Sequence, residues 1–438
     1  MTNKPNQEVF LMAQKKSFYK NLFIIVLSLV FIGISGSNAI IADASQHPDD
    51  DFPYDTYVKY LKEKGKPPTD YVIEKLKKYN IIMIGEDHWL KDHPQFISEV
   101  IKAIREDGSV ELDYLAIEFG NAGDQPLADE FIESNVYRED LAIKILQGSS
   151  DFCGWPYKDV LDIFKTVWEE NKKHPEGKPI KILLTDNPYI PMWMDDESMG
   201  FFLEEQDRGF HIDRDRYMAR ILERKVIAND LKAIYYCGAG HSTYDFRDFA
   251  YNEKTGDCLR YLPAGALLKI LYPKLIFSIK LWGSNMDRDY YPSTNPDDWD
   301  RFLDGKIDEV FRRNGNKPVG FDITQPPFSN IRALDFFMFF EREKKEKFKK
   351  EFPKCYEKVA DDFDVKLSKI FDGYIFLKPL EQYEGASIIE NFFDDEFMKR
   401  ISKRKEGKIT TKKELYEYLL KIRPIMGKNL RELIAKEK

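Results

Sequence analysis

Two Gly-x-x-His tetrapeptides each follow directly on a short apolar run. Gly85-Glu86-Asp87-His88 comes after Ile81-Ile82-Met83-Ile84, and Gly238-Ala239-Gly240-His241 after Ala233-Ile234-Tyr235-Tyr236-Cys237. Between them, Leu115-Ala116-Ile117 runs into Glu118, and Ile182-Leu183-Leu184 runs into Thr185-Asp186-Asn187. Two imidazoles with one or two carboxylates make a workable site for a divalent metal ion. Such a metal brings the pKa of a bound water into the neutral range. Glu86 stands two residues before His88. On an extended segment the two side chains share a face, so that one ligates while the other acts as base. Arg214, at the start of a helix pattern, serves either as a terminal charge near the helix end or as a cation holding an oxyanion.

Each group also has a plainer reading. His88 could cap a strand end, Glu118 could pair with a structural arginine, and Asp186-Asn187-Pro188 could be a turn. His93 reads first as a helix cap, and His174 and His211 as solvated. What argues for function is the joint pattern: polar groups recur where successive apolar runs stop.

The elements that must position these groups follow from spacing. Short apolar runs separated by helix-length segments predict buried parallel strands. The expected strands are 81–84, 115–118, 181–185, 233–237, 275–281, 319–323 and 374–377. Helices are expected over 70–79, from Pro94 to about Glu106 with Asp92 or His93 as cap, over 157–171, and from Asp213 to about Ala228. This is an α/β fold, a mostly parallel twisted sheet with helices on both faces, plus a charged C-terminal helical appendage over 381–438. Ligands bind at the carboxyl ends of strands in such sheets. Glu86, His88, Glu118 and His241 should therefore converge, with functional atoms within roughly 10 Å if they share a metal.

Bulk composition narrows the function classes. The 438 residues carry a net charge of −8, and 43% are hydrophobic; with a mean hydropathy of −0.50 this describes a soluble body and gives no electrostatic footprint for nucleic acid. Basic runs near the C-terminus are interleaved with Glu and apolar residues, as on a solvated helix face. At the N-terminus, Lys15-Lys16 and Lys20 precede an apolar segment from Leu22 to Ile34, and Ala42-Asp43-Ala44 follows. That arrangement predicts a secretory signal peptide over 1–44, with an uncleaved membrane anchor as the alternative. Either places the body, 45–380 with its appendage, outside the cytoplasm. The four cysteines include no CxxC pair, which argues against a structural zinc knuckle.

These segments resemble a superfamily that includes the ChaN-like haem-binding proteins, the TraB/Tiki proteases and the erythromycin esterases. Ile84-Gly85-Glu86-Asp87-His88 with His93 is similar to the ChaN-like Gly-Glu-x-His segment and its further histidine. The two Gly-x-x-His tetrapeptides with Glu118 between them resemble the paired motif of the Tiki proteases. Leu115-Ala116-Ile117-Glu118 is similar to the strand carrying a catalytic glutamate in the esterases. Gly154-Trp155-Pro156-Tyr157, Arg214-Asp215-Arg216-Tyr217-Met218-Ala219 and Pro318-Val319-Gly320-Phe321-Asp322 resemble further segments, in the same order. The esterases usually show Gly-Glu-x-x-His-Gly, whereas here the histidine comes one residue earlier and Trp89 follows it.

The resemblance implies a cleft at the strand ends. There Glu86, His88 and Glu118 would act as acid and base, with Arg214 supporting the substrate or a carboxylate. His88, Glu118 and His241 would hold a metal. Two functions follow. One is a metal-dependent hydrolase of an ester or amide bond, acting on a small-molecule or peptide substrate. The other is a haem- or iron-binding uptake protein without catalysis, in which His93 and exposed aromatics such as Trp89 and Trp155 flank the haem, often across a homodimer. A scaffold with relic polar strand ends is the third reading.

Overall fold

Alternation of side chains along β1 (Ile81–Glu86), β2 (Tyr114–Asn121), β3 (Lys181–Asp186) and β4 (Ala233–Gly238) sends apolar residues to both faces of one sheet. Ile82, Ile84, Leu115, Ile117, Ile234 and Tyr236 belong to the core on one face, whereas Ile81, Met83, Ala116, Tyr235 and Cys237 belong to the core on the other. Both faces are covered, which is why these strands read as continuous apolar runs rather than as an alternating pattern.

The computed structural model describes residues 51–187, 214–244, 248–252, 257–283, 301–332, 349–350, 365–405 and 407–437. For 248–252 and 257–261 it describes the backbone only. Phe52–Lys438 forms one compact unit of the chain. The N-terminal segment read as signal or anchor lies outside the described residues, as do Pro188, His211 and Cys355. Among the described residues no helix is long and apolar enough to cross a membrane.

The helices described are α1 (Tyr54–Lys64), α2 (Pro68–Lys78), α3 (Asp92–Asp107), α4 (Gln125–Glu133), α5 (Glu139–Gln147), α6 (Lys158–Lys173), α7 (Arg214–Lys225), α8 (Ala239–Ser242), α9 (Ala264–Leu271), α10 (Lys306–Arg313), α11 (Asp395–Arg404), α12 (Lys412–Ile422) and α13 (Gly427–Lys436). The remaining strands are β5 (Asp248–Asn252), β6 (Asp257–Tyr261), β7 (Ile276–Leu281), β8 (Val319–Asp322) and β9 (Gly373–Phe376). The main sheet has seven strands in the order β3-β2-β4-β1-β7-β9-β8. All its neighbours are parallel except β8 with β9. The α/β class and the mostly parallel sheet thus stand as expected. The sequence reading did not anticipate the antiparallel edge strand or the separate β5–β6 hairpin.

The strands that carry the two tetrapeptides are adjacent at the middle of the sheet, with Glu86 paired to Gly238 and Ile84 to Tyr236. β2 flanks β4, with Ile117 opposite Tyr236. The polar strand ends therefore share one edge. Helix α3 begins at Asp92 rather than at Pro94, and neither Asp92 nor His93 caps it: the preceding residue is Lys91, with no side-chain cap. The Asp92 carboxylate instead accepts the Glu384 N–H at 3.1 Å. At its other end the helix stops on Gly108, in the left-handed conformation (φ 63°), the usual helix-terminating geometry.

Candidate functional site

The side chains at the strand ends form two groups, one from each face of the sheet, that meet over Gly238. The first is built on β1 and β4. Glu86 continues the face of Ile82 and Ile84 and is buried. Its Oε1 lies 2.8 Å from His88 Nδ1, and its Oε2 accepts a hydrogen bond from the Tyr236 hydroxyl. A carboxylate so placed fixes the tautomer: Nδ1 carries the proton, and Nε2 keeps its lone pair when the ring is neutral. The His88 side chain is 30% exposed whereas Glu86 is 3% exposed, so of this pair only the imidazole meets solvent. Trp155 forms one wall, with its ring centroid 4.9 Å from the imidazole and nearly perpendicular to it. The indole itself is stacked on Phe119 at 4.5 Å.

The second group lies on the other face. Glu118 follows Ala116 along β2 and is buried. Arg214, the first residue of α7, donates from Nη2 to Glu118 Oε1 at 2.8 Å, and from Nε and Nη2 to Asp186 at 2.6 and 2.9 Å. His241, on the single turn of α8, lies 3.2 Å from Glu118 Oε1 through Nε2. Its Nδ1 is 2.7 Å from Asp215 Oδ1, which also accepts the Ala264 N–H at 2.8 Å. Glu118 Oε2 accepts the Gly238 N–H at 2.6 Å. Gly238 joins the groups sterically. A Cβ there would meet His88 Nε2 at 2.9 Å, His88 Cε1 at 2.6 Å and Glu118 Oε2 at 3.3 Å. Only a residue without a side chain lets the two groups approach.

Charge follows from these contacts. Burial disfavours ionisation of Glu118, but His241 and Arg214 outweigh it and hold the carboxyl well below its usual range. Burial likewise disfavours a charged His241, yet Asp215 and Glu118 raise it to about 10. Burial opposes the His88 proton as well, and the hydrogen bond to Glu86 with the nearby Glu118 charge keeps its pKa above the ordinary histidine value. The His241 shift has a stability consequence. Because the folded value exceeds the ordinary 6.5, the stabilisation is complete below that pH and is lost as pH rises towards 10. The melting temperature is expected to fall over that interval. In His241→Gln the fall should be shallower, as followed by scanning calorimetry.

The structure brings together Glu86, His88, Glu118, Asp186, Arg214 and His241 with Trp155. His93 stands apart. It is fully buried, its Nδ1 accepts the Asp87 N–H at 3.1 Å, and its Nε2 donates to the Trp282 carbonyl at 2.9 Å. Burial, and then the Lys280 charge, lower its pKa to about 3. Both nitrogens of His93 thus serve the fold, and among the described residues the one imidazole nitrogen at the site without a hydrogen-bond partner is His88 Nε2. Nor are the aromatics exposed as expected of haem-flanking groups: Trp155 is buried and Trp89 half-buried. Asp87 turns away from Glu86 to a buried ion pair with Lys280, 2.7 Å.

The donor set expected for a divalent metal does not fit one. Arg214 occupies the space between Glu118, Asp186 and His241, with its Nη1 3.2 Å from His241 Nε2. Asp215 and Glu118 favour the protonated form of His241, whereas a metal ligand must be the neutral imidazole. Among the described residues no group of three or more His, Cys, Asp or Glu is arranged to hold a metal ion. Between Glu118, Asp186 and His241 it is the Arg214 guanidinium that supplies positive charge.

Sequence reasoning passed over Tyr236 and Asp215 as site residues. Tyr236 was legible in principle, since it stands two residues before Gly238 and shares its strand face. Asp215 looked like helix-start chemistry, and only the fold brings it to His241.

No protein-family model matches the chain, and no curated protein matches it significantly. Solved structures similar to it include a protein from Bacillus cereus, with 12% identity and a TM-score of 0.44 over 76% of this chain and 100% of that one. Another is a mutant of the erythromycin esterase EreC in its open conformation, with 12% identity and a TM-score of 0.43 over 70% and 92%. A third is ChaN of Campylobacter jejuni, in a structure of cofacial haem binding, with 13% identity and a TM-score of 0.27 over 49% and 85%. An esterase and a haem-binding protein are thus among the structural neighbours, as they are among the families the motifs resemble. Likeness of this degree assigns neither activity nor ligand.

Proposed function

We propose that the chain is a hydrolase of ester or amide bonds in which His88 is the general base. The observation that carries this reading is the Tyr236–Glu86–His88 relay. A buried carboxylate is held from one side by a hydroxyl and holds the partly exposed imidazole from the other, which leaves Nε2, beside Gly238, without a hydrogen-bond partner among the described residues. A water between His88 and a bound carbonyl would lose its proton to Nε2 as its oxygen bonds to the carbonyl carbon. Positive charge stands nearby on Arg214 and His241 for the oxygen that becomes negative. Glu118, saturated by Arg214, His241 and the Gly238 N–H, has the geometry of a fixed counter-charge rather than of a second base.

The test is a panel of p-nitrophenyl esters and arylamides, assayed with and without EDTA. Turnover that survives EDTA and disappears in His88→Ala supports the proposal. Turnover abolished by EDTA and restored by a metal would return the metal-dependent form of the reaction. Absence of turnover together with a Soret band on haem addition, lost in His88→Ala, would instead support haem binding. Base catalysis by His88 further predicts that kcat/KM rises with pH through a midpoint above 6.5, because the pKa of His88 is raised from that value.

We also propose that the protein works outside the cytoplasm. The support is the apolar segment from Leu22 to Ile34 with small residues through Ala44. N-terminal sequencing of protein from the extracytoplasmic fraction should find the chain starting after Ala44 or, if anchored, full-length in the membrane. Recovery of the intact chain in the cytoplasm would reject this localisation.

A further inference from the structure

The C-terminal segment reaches the site along two of its walls. Residues 384–389 run between the stretch that follows His88 and the stretch that carries Trp155. The Lys91 N–H donates to the Glu384 carbonyl at 3.0 Å and the Ala386 N–H to the Trp89 carbonyl at 2.7 Å. On the other side, the Lys158 N–H donates to the Ser387 carbonyl at 2.8 Å and the Ile389 N–H to the Pro156 carbonyl at 2.9 Å. Bridges Leu90 to Gly385 and Tyr157 to Ile388 mark the same seam.

Trp89, the residue directly after His88, has φ 71°. A bulky side chain in the left-handed region is strained, and such a conformation persists only where its surroundings over-determine it. Two of the contacts that hold it come from the C-terminal segment. One is the Ala386 hydrogen bond. The other is Arg423, whose guanidinium lies 5.2 Å from the Trp89 ring centroid.

Arg423 follows α12 and is 3% exposed. Its Nη2 donates to Asp151 Oδ2 at 2.8 Å and its Nη1 to the Tyr157 hydroxyl. Tyr157 meets Trp155 edge-on at 5.1 Å, and Trp155 meets His88 at 4.9 Å. The seam is also pinned against the turn after Arg423. A Cβ on Gly385 would lie 2.2 Å from the Ile425 carbonyl oxygen, so this crossing demands glycine.

We propose that Arg423 is a positioning residue for His88. Through Trp89 it fixes the backbone that leaves the histidine, and through Tyr157 and Trp155 it fixes the wall beside the imidazole. Its effect on turnover rests on His88 being the base of the proposed hydrolysis, whereas its effect on the position of His88 does not.

The test uses the full chain carrying Arg423→Met with Asp151→Asn. Removing both partners avoids stranding a buried charge. Two readouts separate positioning from stability. One is the ¹³Cε1–H resonance of His88 in histidine-labelled protein, assigned by its absence in His88→Gln; it senses the ring current of Trp155. The other is kcat and KM on an ester that the wild type turns over. We expect a cooperative melt close to wild type and a displaced His88 resonance. kcat should be about tenfold to a hundredfold lower at unchanged KM, the scale on which small misplacements of a catalytic group act. Arg423→Lys, which keeps the charge and loses the fork, should lie between. A folded double variant with unmoved resonance and unchanged kcat overturns the proposal. If the double variant does not fold, Arg423→Lys carries the same two readouts, and an unmoved resonance with unchanged kcat there overturns it too. A displaced resonance in a protein whose wild type turns over no substrate supports the positioning and counts against the hydrolase reading alone.

Discussion

His88→Ala is expected to lower kcat/KM by about 10² to 10⁴, the usual contribution of a positioned general base, and to lower the melting temperature as well. Both effects follow from placement. The imidazole is bonded to a carboxylate that is 3% exposed and packs against Trp155, so its loss strands Glu86 and opens the wall beside it. Glu86→Gln probes the same relay from inside. The amide keeps the size of the carboxylate but not its charge, so the His88 proton is held less firmly. The pKa seen in the pH profile should therefore fall towards the ordinary histidine value, and kcat with it. Stopped-flow or steady-state assays across pH 5 to pH 9 measure both effects. If His88→Ala keeps wild-type turnover, His88 is not the base.

The placement of the site was legible because it depends on two rules that operate locally. Apolar runs of strand length interrupted by helical periods dictate a parallel sheet, and parallel strands deliver their last residues to one edge. Glu86, His88, Glu118 and His241 met there for that reason. The face each group takes is also written in the sequence. Glu86 has the parity of Ile82 and Ile84, and Glu118 that of Ala116, so the two carboxylates start on opposite sides of the sheet. What joins them is Gly238, and its role could not be seen until β4 was known to lie between β1 and β2.

Other misreadings share a cause: long-range contacts that local pattern does not encode. His93 looked like a cap because it stands beside Pro94, and like a haem ligand through the ChaN-like resemblance, but the Trp282 carbonyl, just past the end of β7, claims its ring. Where a metal was expected from two histidines and a glutamate stands the guanidinium of Arg214, on a helix that begins 96 residues after Glu118. The residues from 381 onward have no strand periodicity of their own, yet they pair with the backbone on both sides of the site. Isolated bridges leave no period to read, and the pairing partners are about three hundred residues away for Leu90.

Arg214→Met should be the most damaging single substitution in the site for stability. The side chain answers two carboxylates that are 3% and 1% exposed, and methionine would take two N–H donors from Asp186 and one from Glu118. Removing one partner from a buried charge network costs about 3–5 kcal/mol. His241 offsets part of that loss for Glu118, because its proton lies 3.2 Å away, but it makes no contact with Asp186. The damage should therefore fall chiefly on Asp186, and Arg214→Met with Asp186→Asn should be more stable than Arg214→Met alone. Arg214→Lys should also recover part of the stability, because it keeps the charge and loses the two-pronged geometry. Urea denaturation of the three variants measures the order. If Arg214→Met matches the wild type, protons or a bound cation must neutralise Glu118 and Asp186 in its place, and the case against a metal at that position would reopen. Activity should follow a different order from stability. The Asp186 replacement restores the balance of buried charge without returning a cation to the substrate side, so the double variant should be folded and slow.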